Sequence, residues 1–160
     1  MLGAMAAYFT TQAYDAPAAL IWPILTDFPS WPRWFPDISE VRVENELGPA
    51  RGATLLAIGN DISIWTRWQI VEWAAPGRLV CEHVDSNAPM SSQVQAAYLQ
   101  FDLVDDADGC TIEVEIRAEG YGIVGDFFVG MGMGTSVRRM LPALIDAFSD
   151  HVIERVAAAD

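Results

Sequence analysis

Apolar and polar positions alternate along most of the first two thirds of the chain, then change to spacings of three and four. The alternation is cleanest near residue 115. Thr111, Glu113, Glu115, Arg117 and Glu119 fall on one side, and Ile112, Val114, Ile116 and Ala118 on the other. A period of two with one charged face predicts a strand in an antiparallel sheet, one side packed and one side wet. The same reading predicts strands at Ala7–Tyr14, Val41–Leu47, Ala53–Ile58, Ile62–Trp73, Arg78–Val84 and Val94–Val104. Gly48-Pro49, Gly59-Asn60-Asp61, Ala75-Pro76-Gly77 and the acidic run Asp105–Gly109 supply turns between them, and Asp85–Ser92 a polar loop.

Two helical regions interrupt this pattern. Asp15-Ala16-Pro17 reads as a helix start, with Asp15 as N-cap and Pro17 in the first turn, followed by a short helix over Ala18–Thr26 that Pro23 kinks. The three prolines of Asp27–Asp37 permit only short helical turns, anchored by Trp31, Trp34 and Phe35. Near the C-terminus, Val137, Met140, Leu141, Leu144, Phe148 and Val152 form one stripe of a long amphipathic helix, which Pro142 should bend near Arg138. The segment Gly120–Gly134 is rich in glycine and carries Tyr121, Phe127, Phe128, Met131 and Met133; it reads as a loop or a frayed helical entry. The elements add up to one α+β domain over the whole of residues 1–160. A seven-stranded antiparallel curved sheet wraps a long C-terminal helix, with two short helices after strand 1. One helix cannot fill so wide a concave face, and the remaining space is a cavity.

Composition narrows the function. The chain has 9 Arg, no Lys and 22 acidic residues, a formal net charge of −13. Nucleic acid and anionic lipid would both repel it, because phosphate binding needs a cationic footprint. No nucleic-acid partner and no stable membrane insertion are therefore expected; the expected partner is an apolar small molecule for the cavity, and a second copy of the chain is a candidate one. No run reaches the roughly 20 apolar residues of a membrane span, and MLGAMAAYFT lacks the basic start of a secretory signal; a cytoplasmic location is expected. Cys81 and Cys110 have no ligand spacing and read as buried thiols. Neither a metal-site motif nor a nucleotide fingerprint is present, so no cofactor and no metal are expected.

The segment from Asp15, DAPAALIWPILTDFPSWPRWFPDISEVRV, followed by Gly48 and Gly52-Ala53-Thr54-Leu55, resembles the opening of the helix-grip superfamily. That superfamily contains START domains, Bet v 1 allergens and polyketide cyclase/dehydrase-like proteins. The matching features are Ala16-Pro17 after the first strand, Trp22 and Asp27 at helical spacing, then Trp31, Trp34 and Pro36, then the strand at Val41–Val43. VEWAAPGRL at Val71–Leu79 resembles a hairpin between the middle strands. The resemblance implies a deep apolar pocket between sheet and C-terminal helix; the glycine-rich segment before that helix departs from the pattern. Three functions remain open: a carrier for a polyketide, lipid, sterol-like molecule or quinone; an aromatase/cyclase-type enzyme; and a co-chaperone-like module with no ligand.

Candidate ligand contacts are Trp31, Trp65, Arg67, Tyr98, Phe101, Tyr121, Phe127, Phe128, Met131, Leu141 and Phe148. Arg67 would anchor an oxyanion if it points inward, and would otherwise stack on a surface Trp. His83, alternating with Leu79 and Cys81, is the candidate acid or base, and His151 lies at the edge of the helix stripe. On the Trp-rich strand, alternation puts Trp65, Arg67 and Trp73 on one face and Trp68 with Ile70 on the other. Both faces are apolar, so the outer one is a candidate dimer surface.

Overall fold

The computed structural model describes residues 5–87, 94–120 and 134–159. Seven strands form one sheet: β1 (Met5–Tyr14), β2 (Ile38–Val43), β3 (Thr54–Gly59), β4 (Trp65–Ala74), β5 (Arg78–Ser86), β6 (Val94–Asp106) and β7 (Gly109–Gly120). Their spatial order is β1-β7-β6-β5-β4-β3-β2, and every neighbouring pair is antiparallel. Helix α1 (Ala18–Leu25) and a 3-10 helix (Phe28–Arg33) carry the chain from the β1 edge to the β2 edge. The long helix α2 (Gly134–Ala159) follows β7 in sequence and runs through Pro142.

Alternation explains the sheet. In β7, Cys110, Ile112, Val114, Ile116 and Ala118 are buried, and the residues between them are half-buried. The start of α1 differs from the expected cap. Asp15 does not cap it; Asp105, at the end of β6, accepts the Ala18 amide at 2.7 Å instead. This satisfies a donor that every helix N-terminus leaves over, from an element distant in sequence. β2 starts at Ile38 and ends at Val43, earlier than the alternation suggested. β4 starts only at Trp65, because the Asp61 carboxylate accepts from the Ser63 amide and hydroxyl and folds that stretch into a turn. Ile62 is left 81% exposed there. At the β6–β7 turn Gly109 has φ +154°, and a Cβ at that position would collide with the Tyr14 carbonyl. Only glycine allows β1 to close onto the hairpin there.

The expected faces of β4 need one correction. The pairing of β4 with β5 shifts register between Ile70 and Glu72. This irregularity changes which side a residue faces. Trp73 therefore turns inward, meeting Trp22 at 5.2 Å and Phe28 at 6.5 Å between ring centroids. Trp65 and Arg67 stay on the outer face.

One end of the interior is a continuous aromatic cluster. Trp31 meets Phe28, Trp34 and Phe101, and Trp34 meets Phe148 of α2 at 4.8 Å. Rings of this size bury roughly 150–250 Å² each, so this end is solidly filled. α2 packs against β1 and α1. The side of the grip under β2–β5 is left less covered, and that is where space remains.

Candidate functional site

The space is a cavity of about 300 Å³. Its wall is built by alternation on five strands: Val41 from β2, Leu55 and Ala57 from β3, Thr66 and Trp68 from β4, Cys81 from β5 and Leu99 from β6. Trp31, Phe35, Pro36 and Asp37 close it on the side of the short helices, and Met140 of α2 contributes from above. Register explains how distant residues meet. Leu55 lies opposite Trp68, Ile70 opposite Cys81, and Cys81 opposite Leu99. Side chains directly across antiparallel strands share a face.

Polar groups in this wall are few. The Trp31 indole donates to the Leu25 carbonyl at 2.7 Å, which also fixes the ring against the end of α1. The Cys81 thiol is buried and pushed up to about 12 by desolvation, so it is neutral and a poor nucleophile. Thr66 is bonded to Ser86 on the neighbouring strand at 3.0 Å between hydroxyl oxygens. Asp37 is exposed at the rim; its φ of +61° is in the left-handed region, which Asp tolerates, and its carbonyl accepts from the Asn60 amide. Among the described residues no group of three or more His, Cys, Asp or Glu is placed to hold a metal ion.

Of the expected contacts, the structure places only Trp31 in this wall. Arg67 and Trp65 do not line it. Arg67 donates to Glu44 at 2.8 Å and to Asp85 at 3.2 Å on the outer face, and its guanidinium lies 5.3 Å from the Trp65 ring centre. The physical reason is strand parity, since inward positions on this part of β4 are Thr66 and Trp68. Tyr98 is likewise on the outer face, under the Arg117 guanidinium and 3.5 Å from Glu82. Phe101 and Phe148 belong to the aromatic cluster, and Leu141 lies in a separate groove between α2 and β1. Tyr121, Phe127, Phe128 and Met131 lie outside the described residues.

His83 pairs with Trp68 across the strands and sits edge-to-face on its ring at 5.5 Å. It touches a wall residue without lining the cavity itself. Desolvation holds its pKa below the usual histidine value, partly opposed by Asp85. His151 is 4% exposed on α2, and its Nε2 has no hydrogen-bond partner. The wall residues that sequence reading overlooked, including Trp68, Leu99 and Met140, did carry a signal. Each stands on the inward parity of its element, and only the list of cross-strand partners was missing.

A family model described as polyketide cyclase/dehydrase and lipid transport matches residues 5–152. No curated protein matches the chain by sequence. Among solved structures, the chain is similar to Ara h 8.0201, with a TM-score of 0.74 at 11% identity over 94% of this chain and 99% of that one. It is similar to the Zhui aromatase/cyclase from Streptomyces sp. R1128, with a TM-score of 0.72 at 16% identity over 98% of each chain. A START superfamily protein from Mycobacterium smegmatis aligns with a TM-score of 0.62 at 15% identity, over 98% of this chain and 99% of the other. At such identities these likenesses speak for the fold alone.

Proposed function

The chain belongs to the polyketide cyclase/dehydrase and lipid transport family, and from that premise we propose that it binds an apolar small molecule in the cavity between the sheet and α2. The observation that carries this reading is the cavity itself: about 300 Å³, enclosed mainly by aromatic and aliphatic side chains. That volume is at the lower end of small-molecule sites, which hold roughly 300–1,000 Å³. A filled interior would have favoured an interaction module without ligand. The same family makes a cyclase the second reading, and His83 against Trp68 is the observation that favours it. Arg67, paired with Glu44 on the outer face, lends this second reading no support.

Native mass spectrometry of the freshly purified protein, followed by organic extraction, tests the proposal. The expected result is a co-purifying apolar molecule, displaced in the variant Ala57→Trp, which fills the cavity from β3. An empty protein that also leaves the fluorescence of N-phenyl-1-naphthylamine unchanged would refute it. Turnover by a ligand-bound protein that stops in His83→Gln while binding persists would move the cyclase reading to the front. Self-association through the outer face of β4, where Arg67 covers Trp65, is a separate proposal that sedimentation over a wide concentration range decides.

A further inference from the structure

Every cationic side chain of this protein lies outside the cavity wall. The chain has nine arginines and no lysine, and all nine arginines are among the described residues. Arg42, Arg67, Arg78, Arg117 and Arg155 form ion pairs with Asp or Glu. Arg138 lies over the Tyr8 ring in the groove between α2 and β1, and Arg33, Arg51 and Arg139 are exposed. None of the nine lines the wall, and neither His83 nor His151 does. Residues 1–4, 88–93, 121–133 and 160 contain no Arg, Lys or His; their charged side chains, Asp126 and Asp160, are acidic.

The groups that do face the space are apolar or electron-rich. Asp37, at the rim, is the one formal charge in the wall among the described residues. Trp31, Phe35 and Trp68 supply aromatic rings, whose faces are negative. The net charge of −13 surrounds the whole molecule with a negative field. An ionised carboxylate, sulfonate or phosphate entering here would lose its water and meet no counter-charge, a cost that apolar contacts do not offset.

We infer that the cavity accepts its ligand only in an uncharged form. The ligand class is then neutral: ketones, quinones, alcohols and uncharged lipids. Anionic lipids fall outside it, and a fatty acid or other carboxylic acid enters only after taking up a proton. The inference rests on the cavity reading above and narrows it. It also fixes a proton count. A carboxyl group with an ordinary pKa of about 4 must bind one proton to enter, so above that pKa its apparent affinity falls by about tenfold per pH unit. A neutral analogue of the same shape has no such slope.

Two probes share the same rings and nearly the same outline: 2-acetonaphthone, which is neutral, and 2-naphthoate, which is anionic at pH 7. Dissociation constants of both are measured by titration of the full chain between pH 6 and pH 8. The unmodified protein is expected to bind the ketone at least about a hundredfold more tightly at pH 7, and naphthoate alone should weaken by about tenfold per pH unit. Naphthoate too weak to detect while the ketone binds supports the inference equally. Met140→Lys supplies the missing cation. Met140 lines the wall from α2 and is only half-buried, so a lysine stem can follow its path to the mouth. That variant should bind naphthoate at least about tenfold more tightly than the unmodified protein, the worth of a charge-assisted hydrogen bond, while Met140→Gln should keep the discrimination. Naphthoate bound as tightly as the ketone, or without a pH slope, overturns the inference and leaves the cavity reading standing. A Met140→Lys protein that melts like the unmodified one yet discriminates in full overturns it as well, because something other than the missing counter-charge then rejects the acid. If Met140→Lys does not fold, the pH slope of the unmodified protein decides. Failure of both probes to bind overturns the cavity reading and this inference together.

Discussion

At the scale of single residues, the two histidines define how stability responds to acid. Burial lowers the pKa of both, with Arg155 and Arg33 adding to the effect at His151 and Glu154 and Asp27 opposing it. A histidine whose folded-state pKa is depressed is neutral in both states at high pH and costs nothing there. As pH falls below about 6.5, the unfolded chain takes up the proton first, so stability falls with it. Thermal melting between pH 7.5 and pH 5 should therefore show a declining midpoint, and His151→Phe should flatten the decline. An unchanged slope in that variant would mean that the buried imidazole is protonated as easily as a free one. Gly109 makes the opposite kind of demand, on space alone. Gly109→Ala should lower stability by more than about 1 kcal/mol in denaturant unfolding, since the Tyr14 carbonyl occupies the place of the new methyl.

At the scale of elements, the notable contacts are those that tie one element's end to another's side chain. α1 has no side-chain cap of its own, and Asp105 of β6 serves its Ala18 amide. Asp105→Ala should cost about 1 kcal/mol, in the range of a lost N-cap, although position 105 is far from the helix in sequence. Thermal melting of that variant beside Asp15→Ala checks it, because Asp15→Ala should change little. The 3-10 helix is tied in the same way. Trp31 bonds back to Leu25, and Asp27 forms an ion pair with Arg155 of α2 at 2.8 Å. The pair is partly exposed, so its worth is modest. It joins α2 to the start of the 3-10 helix, which supplies Trp31 to the cavity wall.

At the scale of the whole molecule, an aromatic end and an open end share one interior. The aromatic cluster binds α1, the 3-10 helix and α2 to the sheet, and the cavity lies beside it under β2–β5. Trp31 and the Phe35 ring stacked on it belong to both, so the cluster also forms part of the cavity wall. A ligand that binds the folded chain alone should raise the melting midpoint with its concentration. The same ligand should leave Ala57→Trp unaffected, because the cavity there is already occupied by the indole. No helix among the described residues is long and apolar enough to cross a membrane.

Local pattern determined the architecture. Period-two alternation, turn residues and one helical stripe specified a curved antiparallel sheet with a long C-terminal helix, and the Ala-Pro and Trp spacings after β1 pointed to the family. These features depend on neighbours in sequence, which is why they can be read there. The lining of the cavity depends on register, and register is a property of strand pairs. A shift between Ile70 and Glu72 turned Trp73 inward, and parity on β4 placed Arg67 outside with Glu44 and Asp85. The cap that Asp105 of β6 gives α1 and the hydrogen bond between Thr66 and Ser86 likewise join elements that only the fold brings together. Tertiary structure alone decided them, because each is an interaction between groups that only the folded sheet brings within hydrogen-bond distance.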